Sequence, residues 1–318
     1  MNWSQPKVYA VKHKDEEIRL ASRSGGIFTA LSNAILESSG VVYGCVLTSE
    51  FQAVHCRADN KEVRDRMRGS KYIQSTLGDT YREIKDDLET GRKVLFSGTS
   101  CQVAGLRRFL GRKYPNLFCV DIVCHGVPSK AVWQKYLEWQ EKQCKAKIVS
   151  VDFRNKKDFG WRDHVETLLL DTGKQVNCRV FKELFYGHNI LRPCCYSCPF
   201  KSIMHPGDIT IADYWGIEKA APEFDDNKGV SLVLVNNEKG EDLFEDVRDG
   251  LLWKETKIED SMQPPLKEPF PKPAKREKFW EDFRNKGFGY IARTYGGYGI
   301  INRVKQRLKR FKRKVLRK

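Results

Sequence analysis

The amino-acid sequence predicts an α/β fold, with a mostly parallel sheet covered by helices and a more β-rich, looped second half that carries a C-x-x-C pair. Two observations support this prediction. Apolar segments of strand length alternate with amphipathic segments of helix length through the first half, and the pattern becomes strand and loop after residue 148. Strands separated by helices of this length favour a parallel sheet with both faces covered. The 318 residues are enough to bury a substantial core.

The first half alternates helix and strand. The segment SGGIFTALSNAILESSG has apolar residues at helical spacing, at Ile27, Phe28, Leu31, Ala34 and Ile35. The predicted elements after it are, in order, strand VVYGCVLT, helix DTYREIKDDLETG, strand KVLFSG, helix CQVAGLRRFLG, strand LFCVDIVC and helix SKAVWQKYLEWQEKQ.

The second half is read as strands HVETLLLDTG, DITIADYWG and GVSLVLVNN joined by loops. The five prolines between residues 262 and 279 predict an extended arm that leaves the globular body. We therefore expect a core, an arm and a tail: residues 1–261 (an α/β part, 1–147, and a β-rich part, 148–261), a Pro/Gly/Tyr-rich arm, 262–299, and a basic amphipathic tail, 300–318.

No signal peptide and no apolar run of roughly 18 to 20 residues is visible, so the sequence predicts a soluble, cytoplasmic protein. In a reducing compartment, ten cysteines are not expected to form a disulfide framework. Clustered cysteines in such a protein indicate metal or redox chemistry.

Four cysteines are candidates for one metal centre. Cys101 and Cys124 each follow an apolar strand, and they are separated by one helix-strand unit. If the strands are parallel neighbours, both thiols lie at the edge of the sheet where open α/β folds bind ligands. Cys195 and Cys198 have the spacing at which two sulfurs bind one metal from a tight turn. The four thiolates fit a [4Fe-4S] cluster or a structural zinc, and the pair alone also fits thioredoxin-like exchange.

Seven motifs occur in an order that resembles the coenzyme F420 hydrogenase/dehydrogenase beta-subunit family, and the resemblance covers roughly residues 8 to 250. They are SRSGGIFTAL, GSKYIQS, FSGTSCQVAGL, VCHGVPS, DFRNKKDFGWR, LRPCCYSCPFK and GDITIADYWGI. The resemblance implies an iron-sulfur flavoprotein oxidoreductase with an α/β core, FAD and a [4Fe-4S] cluster. It also implies that Cys101, Cys124, Cys195 and Cys198 are the cluster ligands, with Cys194 a neighbour.

The same resemblance implies an external partner. Many relatives begin with a ferredoxin-like module, and this sequence starts directly at the core, so we expect an electron donor such as ferredoxin or a reduced deazaflavin. The expected setting is cell-surface polysaccharide synthesis, with which other relatives look associated, or deazaflavin-linked reduction. The alternative is a zinc-stabilised protein that binds nucleic acid or a partner and has no redox activity.

Candidate flavin contacts lie in three of the motifs. Ser24, Gly25 and Gly26 open a helix, where backbone N–H groups favour a phosphate, although without the family resemblance the residues favour a glycine-rich turn with a serine cap. The segment SKYIQS offers a counter-charge, a stacking ring and hydrogen-bonding groups, or it is a solvated loop. Thr99 and Gln102 either bridge the cluster and flavin pockets or cap the helix. In SKYIQS, the counter-charge is Lys71, the stacking ring is Tyr72, and the hydrogen-bonding groups are Gln74 and Ser75.

The tail predicts a membrane contact. Its last 16 residues carry ten Lys and Arg and no acid. An apolar stripe at helical spacing runs along it, at Val304, Leu308, Phe311 and Val315. Such a helix can lie on an anionic membrane, which here would be the inner face. An acidic protein, nucleic acid and disorder are the competing readings, with nucleic acid the less favoured partner.

Overall fold

The structure is a computed structural model, and it describes residues 4–299. Its strands are β1 Lys7–His13, β2 Val41–Leu47, β3 Ala53–Ala58, β4 Val94–Thr99, β5 Leu117–Ile122, β6 Ile148–Asp152, β7 Glu166–Leu170, β8 Gln175–Cys178, β9 Ile209–Asp213, β10 Ser231–Val235 and β11 Leu251–Thr256.

Its α-helices are α1 Glu16–Ala21, α2 Ile27–Glu37, α3 Lys61–Asp65, α4 Thr80–Glu89, α5 Ser100–Leu110, α6 Lys130–Cys144, α7 Lys156–Phe159, α8 Val180–Tyr186, α9 Ile217–Ala220, α10 Glu238–Glu245, α11 Arg276–Asn285 and α12 Gly287–Thr294. Short 3₁₀ helices lie at Pro193–Ser197, Pro222–Phe224, Arg248–Gly250, Glu259–Ser261 and Pro264–Leu266.

The described residues form a large sheet of eight strands in the order β11-β1-β10-β9-β5-β4-β2-β3, and a small sheet in the order β6-β7-β8. Strands β9, β5, β4 and β2 run parallel to their neighbours at the centre. Strand β3 and the group β10, β1 and β11 pair antiparallel on the two sides. The predicted α/β class is confirmed, and antiparallel strands flank its parallel centre.

Helices cover both faces of the large sheet. On one face, Leu31 and Ile35 of α2 and Phe244 of α10 pack against alternate strand residues such as Val120 and Val233. On the other face, buried apolar residues of α4 and α5 pack against the intervening strand residues, including Tyr43 and Phe96. Because helices cover both faces, the side chains on both sides of the central strands are mostly buried and mostly apolar.

The described residues divide into two compact units. The first holds the large sheet and consists of residues 4–127, 156–163 and 197–270. The second holds the small sheet, α6, α8, α11 and α12, and consists of residues 128–155, 164–196 and 271–299. The division therefore differs from a sequential α/β part and β-rich part, because β9, β10 and β11 return to the large sheet.

Residues 262–299 also differ from an extended arm. The prolines end at Pro273, and the helices α11 and α12 follow directly. Phe288 of α12 packs against Trp139 of α6, with 5.6 Å between ring centroids, and Tyr298 meets the same indole at 4.9 Å. The segment is held by aromatic packing that a proline count does not reveal. The predicted tail, 300–318, lies outside the described residues.

Within residues 4–299, none of the helices combines the length and the apolar character that a membrane crossing requires.

Candidate functional site

Cys101 and Cys124 lie at the carboxyl ends of neighbouring strands, and the expected parallel pairing is confirmed. Strands β4 and β5 pair in parallel with Thr99 opposite Ile122. Cys101 is the second residue of α5, and Cys124 lies two residues beyond β5. Cys101 is exposed and Cys124 is half-buried. They therefore belong to the edge of the sheet where open α/β folds place ligands.

A chain of side-chain hydrogen bonds holds the turn that carries Cys101. The backbone N–H of Thr99 donates to Gln102 Oε1 at 3.0 Å, and Gln102 Nε2 donates to Ser75 Oγ at 2.8 Å. Thr99 Oγ1 lies 3.1 Å from Cys101 Sγ. Thr99 and Gln102 thus cap α5, and Gln102 also reaches the SKYIQS segment. The structure brings together four residues that the sequence placed in two separate motifs.

Two residues that sequence analysis missed join the segment after the C-x-x-C pair to the other cysteine turns. Lys201 Nζ donates to the carbonyl oxygen of Cys124. His205 Nδ1 lies 3.1 Å from Ser100 Oγ and 3.1 Å from Asp121 Oδ2. This segment therefore contacts the residue before Cys101 and Cys124 itself.

Asp121 is the partner of His205 at the end of β5. Its side chain is fully buried, and Thr210 Oγ1 donates to its other oxygen at 2.6 Å. A buried carboxylate needs donors or a counter-charge. An aspartate inside the apolar strand LFCVDIVC indicates that the folded protein supplies donors for its carboxylate. The sequence does not indicate that His205, which lies 84 residues later, is one of these donors.

The C-x-x-C pair begins in the 3₁₀ helix Pro193–Ser197. The backbone N–H of Cys195 donates to the Arg192 carbonyl at 2.9 Å. Cys194 is exposed, whereas Cys195 and Cys198 are half-buried. Across residues 4–299, no group of three or more His, Cys, Asp or Glu side chains is placed so that it could hold a metal ion. The four-thiolate site therefore stays a prediction.

The glycines of the Ser-Gly-Gly turn are required by contacts with the chain itself. Gly25 N–H donates to Ser231 Oγ at 2.9 Å, and a Cβ on Gly25 would lie 2.1 Å from the Val11 carbonyl oxygen. Gly26 precedes α2 with φ of 97°, a left-handed conformation that favours glycine. Since Ser231 pairs with Asp213, the last residue of β9, the turn lies at the same edge of the sheet as the Cys124 turn.

Ser24 does not cap α2, because its hydroxyl donates to the Val230 carbonyl at 2.5 Å. Its own carbonyl accepts from Lys156 Nζ at 3.2 Å, and the Arg19 carbonyl accepts from the same ammonium at 2.5 Å. Burial, together with the cations Arg23 and Arg19, lowers the pKa of Lys156 to about 7. The basic run DFRNKKDFGWR, which the sequence patterns alone do not place in the site, therefore contributes a buried lysine beside Ser24.

Lys71 has contacts within its own loop. Burial lowers the pKa of this lysine to about 8. Its Nζ donates to three backbone carbonyls, those of Arg66 and Arg68 at 2.9 Å and that of Gly69 at 3.2 Å. Tyr72 and Gln74 are half-buried in the same segment. Flavin contacts by Lys71, Tyr72 and Gln74 stay predictions.

An aromatic pair follows the end of β9. Trp161 is fully buried and stacks on Trp215, with 4.9 Å between centroids and 8° between planes. Trp161 Nε1 donates to Asp213 Oδ1 at 2.7 Å, which fixes the indole on the sheet edge. Trp215 is 37% exposed, so the pair presents an aromatic surface beside the strand ends.

Comparison with protein families finds one match. The sequence model for the carboxy-terminal part of the coenzyme F420 hydrogenase/dehydrogenase beta chain matches residues 91–261, slightly more than half of the chain. The matched residues include all four candidate cysteines. The comparison with curated proteins gives no match.

Solved structures show the same fold. A chain of the xenon-derivatised F420-reducing [NiFe] hydrogenase complex from Methanosarcina barkeri matches with a TM-score of 0.54 and 18% sequence identity. The match covers 91% of this chain and 96% of that chain. At this identity the likeness concerns the fold.

Proposed function

Because this chain belongs to the coenzyme F420 hydrogenase/dehydrogenase beta-subunit family, we propose that it is an iron-sulfur flavoprotein oxidoreductase. It passes electrons between a [4Fe-4S] cluster, FAD and an external partner or substrate. The observation that supports this most is the hydrogen bonding between the segment after Cys198 and the turns that carry Cys101 and Cys124. The segment after Cys198 hydrogen-bonds to Cys124 and to the residue before Cys101, at the carboxyl edge of parallel strands.

The donor set fits an iron-sulfur cluster. Thiolates from separate segments are the usual ligands of such clusters, and Cys101, Cys124 and Cys198 lie on three segments that hydrogen bonds connect. Cys195 precedes Cys198 by only three residues, so the sulfurs of both residues can reach one shared centre. Cys101, Cys124, Cys195 and Cys198 would therefore hold the cluster.

Polar groups next to Cys101 fit a flavin. Ser75, Thr99 and Gln102 supply hydroxyl and amide groups within one hydrogen-bonded chain. Ser24 and the buried Lys156 lie along the same edge of the sheet, where cationic and backbone groups favour a phosphate. When bound, the flavin would exchange electron pairs or hydride and the cluster single electrons, while these residues would orient both groups.

The partner in this proposal is external. A likeness to one chain of a hydrogenase complex is consistent with a redox partner or a larger assembly. Ferredoxin or a reduced deazaflavin is the proposed donor, and cell-surface polysaccharide synthesis is one proposed setting. The basic tail would bring the protein to the inner face of an anionic membrane.

The decisive experiment is purification without oxygen, followed by analysis of iron, acid-labile sulfide, zinc and released flavin. We expect about four iron and four sulfide per chain, with stoichiometric FAD. A colourless, zinc-loaded protein without flavin would contradict the proposal and favour a zinc-stabilised binding protein.

A further inference from the structure

Lys201 is a buried lysine whose ammonium group lies against the backbone of a predicted cluster ligand. The residue is 7% exposed, and Nζ donates to the carbonyl oxygen of Cys124. Because that oxygen and the Cys124 sulfur belong to one residue, the ammonium lies within roughly 8 Å of the sulfur. Lys201 also follows Cys198 by three residues.

One aromatic ring lies beside this ammonium. The Phe270 ring centroid lies 5.3 Å from Lys201 Nζ, and the same ring packs on His125 with 4.2 Å between centroids. A cation near an aromatic face is favourable and is partly removed from water. With less water around it, the charge acts more strongly on neighbouring groups than an exposed lysine would.

A buried cation beside a thiolate site has a direct electrostatic effect. Four thiolates make an iron-sulfur cluster anionic, and reduction adds a further negative charge. A nearby ammonium stabilises the reduced form more than the oxidised form, which raises the reduction potential. The reduction potential of such clusters depends on net charge and solvent exposure as well as on the ligands.

We infer that Lys201 is the counter-charge of the cluster site. It is a positioning residue that ties the segment after Cys198 to the Cys124 turn, and its charge favours the reduced cluster. This inference rests on the proposed function and adds a residue outside the ligand set.

Three variants test it. Lys201→Met removes the charge and keeps the apolar stem, and Lys201→Arg keeps the charge. Lys12→Met is the matched control, because Lys12 is also a buried lysine. Its Nζ donates to the Phe224 carbonyl at 3.4 Å and lies 4.7 Å from the centroid of the Phe224 ring. Each protein is purified without oxygen, and its iron, its sulfide and the midpoint potential of its cluster are measured.

We expect the Lys201→Met cluster to have a lower potential than wild type, while Lys201→Arg and Lys12→Met stay close to wild type. If the Lys201→Met protein loses its cluster, a Lys201→Arg protein that keeps its cluster still supports the role of the charge. An unchanged potential in Lys201→Met, or equal loss of the cluster from both Lys201 variants, would overturn the inference. Wild-type protein without iron and sulfide would instead refute the proposed function itself.

Discussion

The side-chain amide of Gln102 donates a 2.8 Å hydrogen bond to the hydroxyl of Ser75, and this bond connects two motifs that lie 27 residues apart. Gln102 also caps α5, the helix that begins at the Cys101 turn. A change at Ser75 can therefore disturb the proposed flavin pocket without removing the helix cap.

Ser75→Ala should lower FAD content. The hydroxyl supplies one neutral hydrogen bond, so its loss should weaken flavin affinity about fivefold to tenfold, or about 1 kcal/mol. Flavin titration of the apoprotein measures the change, with the exposed Ser49→Ala as control. Equal affinity in the two variants would remove Ser75 from the pocket.

Cys198→Ser should lower iron and sulfide content to a small fraction of that of wild type. Serine replaces a soft thiolate with a hard, weakly acidic donor. Cys144→Ser is the control, since Cys144 ends α6 and lies outside the proposed ligand set. A full complement of iron and sulfide in Cys198→Ser would count against the four-cysteine site.

Gly25→Val should destabilise the fold by about 3 to 5 kcal/mol, because the new Cβ would overlap the Val11 carbonyl oxygen. Loss of flavin in this variant would therefore not identify a phosphate site by itself. Gly250→Val is the matched control, since a Cβ there meets no atom within 4 Å. Urea unfolding measures both variants, and equal midpoints would show that the close approach is relaxed in solution.

Glu166→Gln should change how stability depends on pH. Burial raises the pKa of Glu166 well above its ordinary value, while the Lys182 backbone opposes this in part. The folded form therefore holds its proton more tightly, so the wild-type protein loses stability as pH rises above about 4.3. The glutamine variant lacks this loss, and its Tm should exceed that of wild type by several degrees at pH 8 but not at pH 4.

The exposed Glu238→Gln serves as control for that comparison. A Tm difference that stays constant from pH 4 to pH 8 would show that Glu166 does not titrate as proposed.

The C-terminal tail should bind anionic vesicles. Full-length protein is expected to sediment with phosphatidylserine-containing liposomes at moderate salt, since each cation near the surface contributes about 1 kcal/mol. A protein ending at Asn302 should stay in solution, and Phe311→Ser should bind more weakly at unchanged charge. Equal sedimentation of the truncated protein, or no effect of salt, would refute the membrane contact.

Local patterns were sufficient to predict the elements that position Cys101 and Cys124. The apolar runs before each cysteine form β4 and β5, and the helix between them makes the parallel pairing geometrically simple. The same reasoning could not identify Lys201 or His205, because their partners lie 77 and 84 residues earlier in the chain. Such contacts depend on tertiary packing rather than on periodicity.

The Ser-Gly-Gly turn shows another limit of sequence reasoning. Glycines at a helix start are compatible with phosphate binding, but they also allow backbone to approach backbone. In this fold Gly25 lies against the backbone of β1 and β10. The sequence alone does not distinguish a glycine required by such packing from a glycine required by a bound phosphate. The prolines before α11 predicted an extended arm in a similar way. The residues after them form helices instead, and Phe288 packs against Trp139 of α6.

The position of β1 between β10 and β11 has a consequence for synthesis on the ribosome. Among residues 4–299, β1 pairs only with β10 and β11, which begin more than 200 residues later, so both of its edges stay without these partners until the two strands emerge. At about 5 to 20 residues per second this wait lasts roughly 10 to 40 s. During that time the apolar strand is open to wrong pairing and to chaperones. Nascent chains halted before residue 230 should therefore be far more sensitive to protease than the released full-length chain.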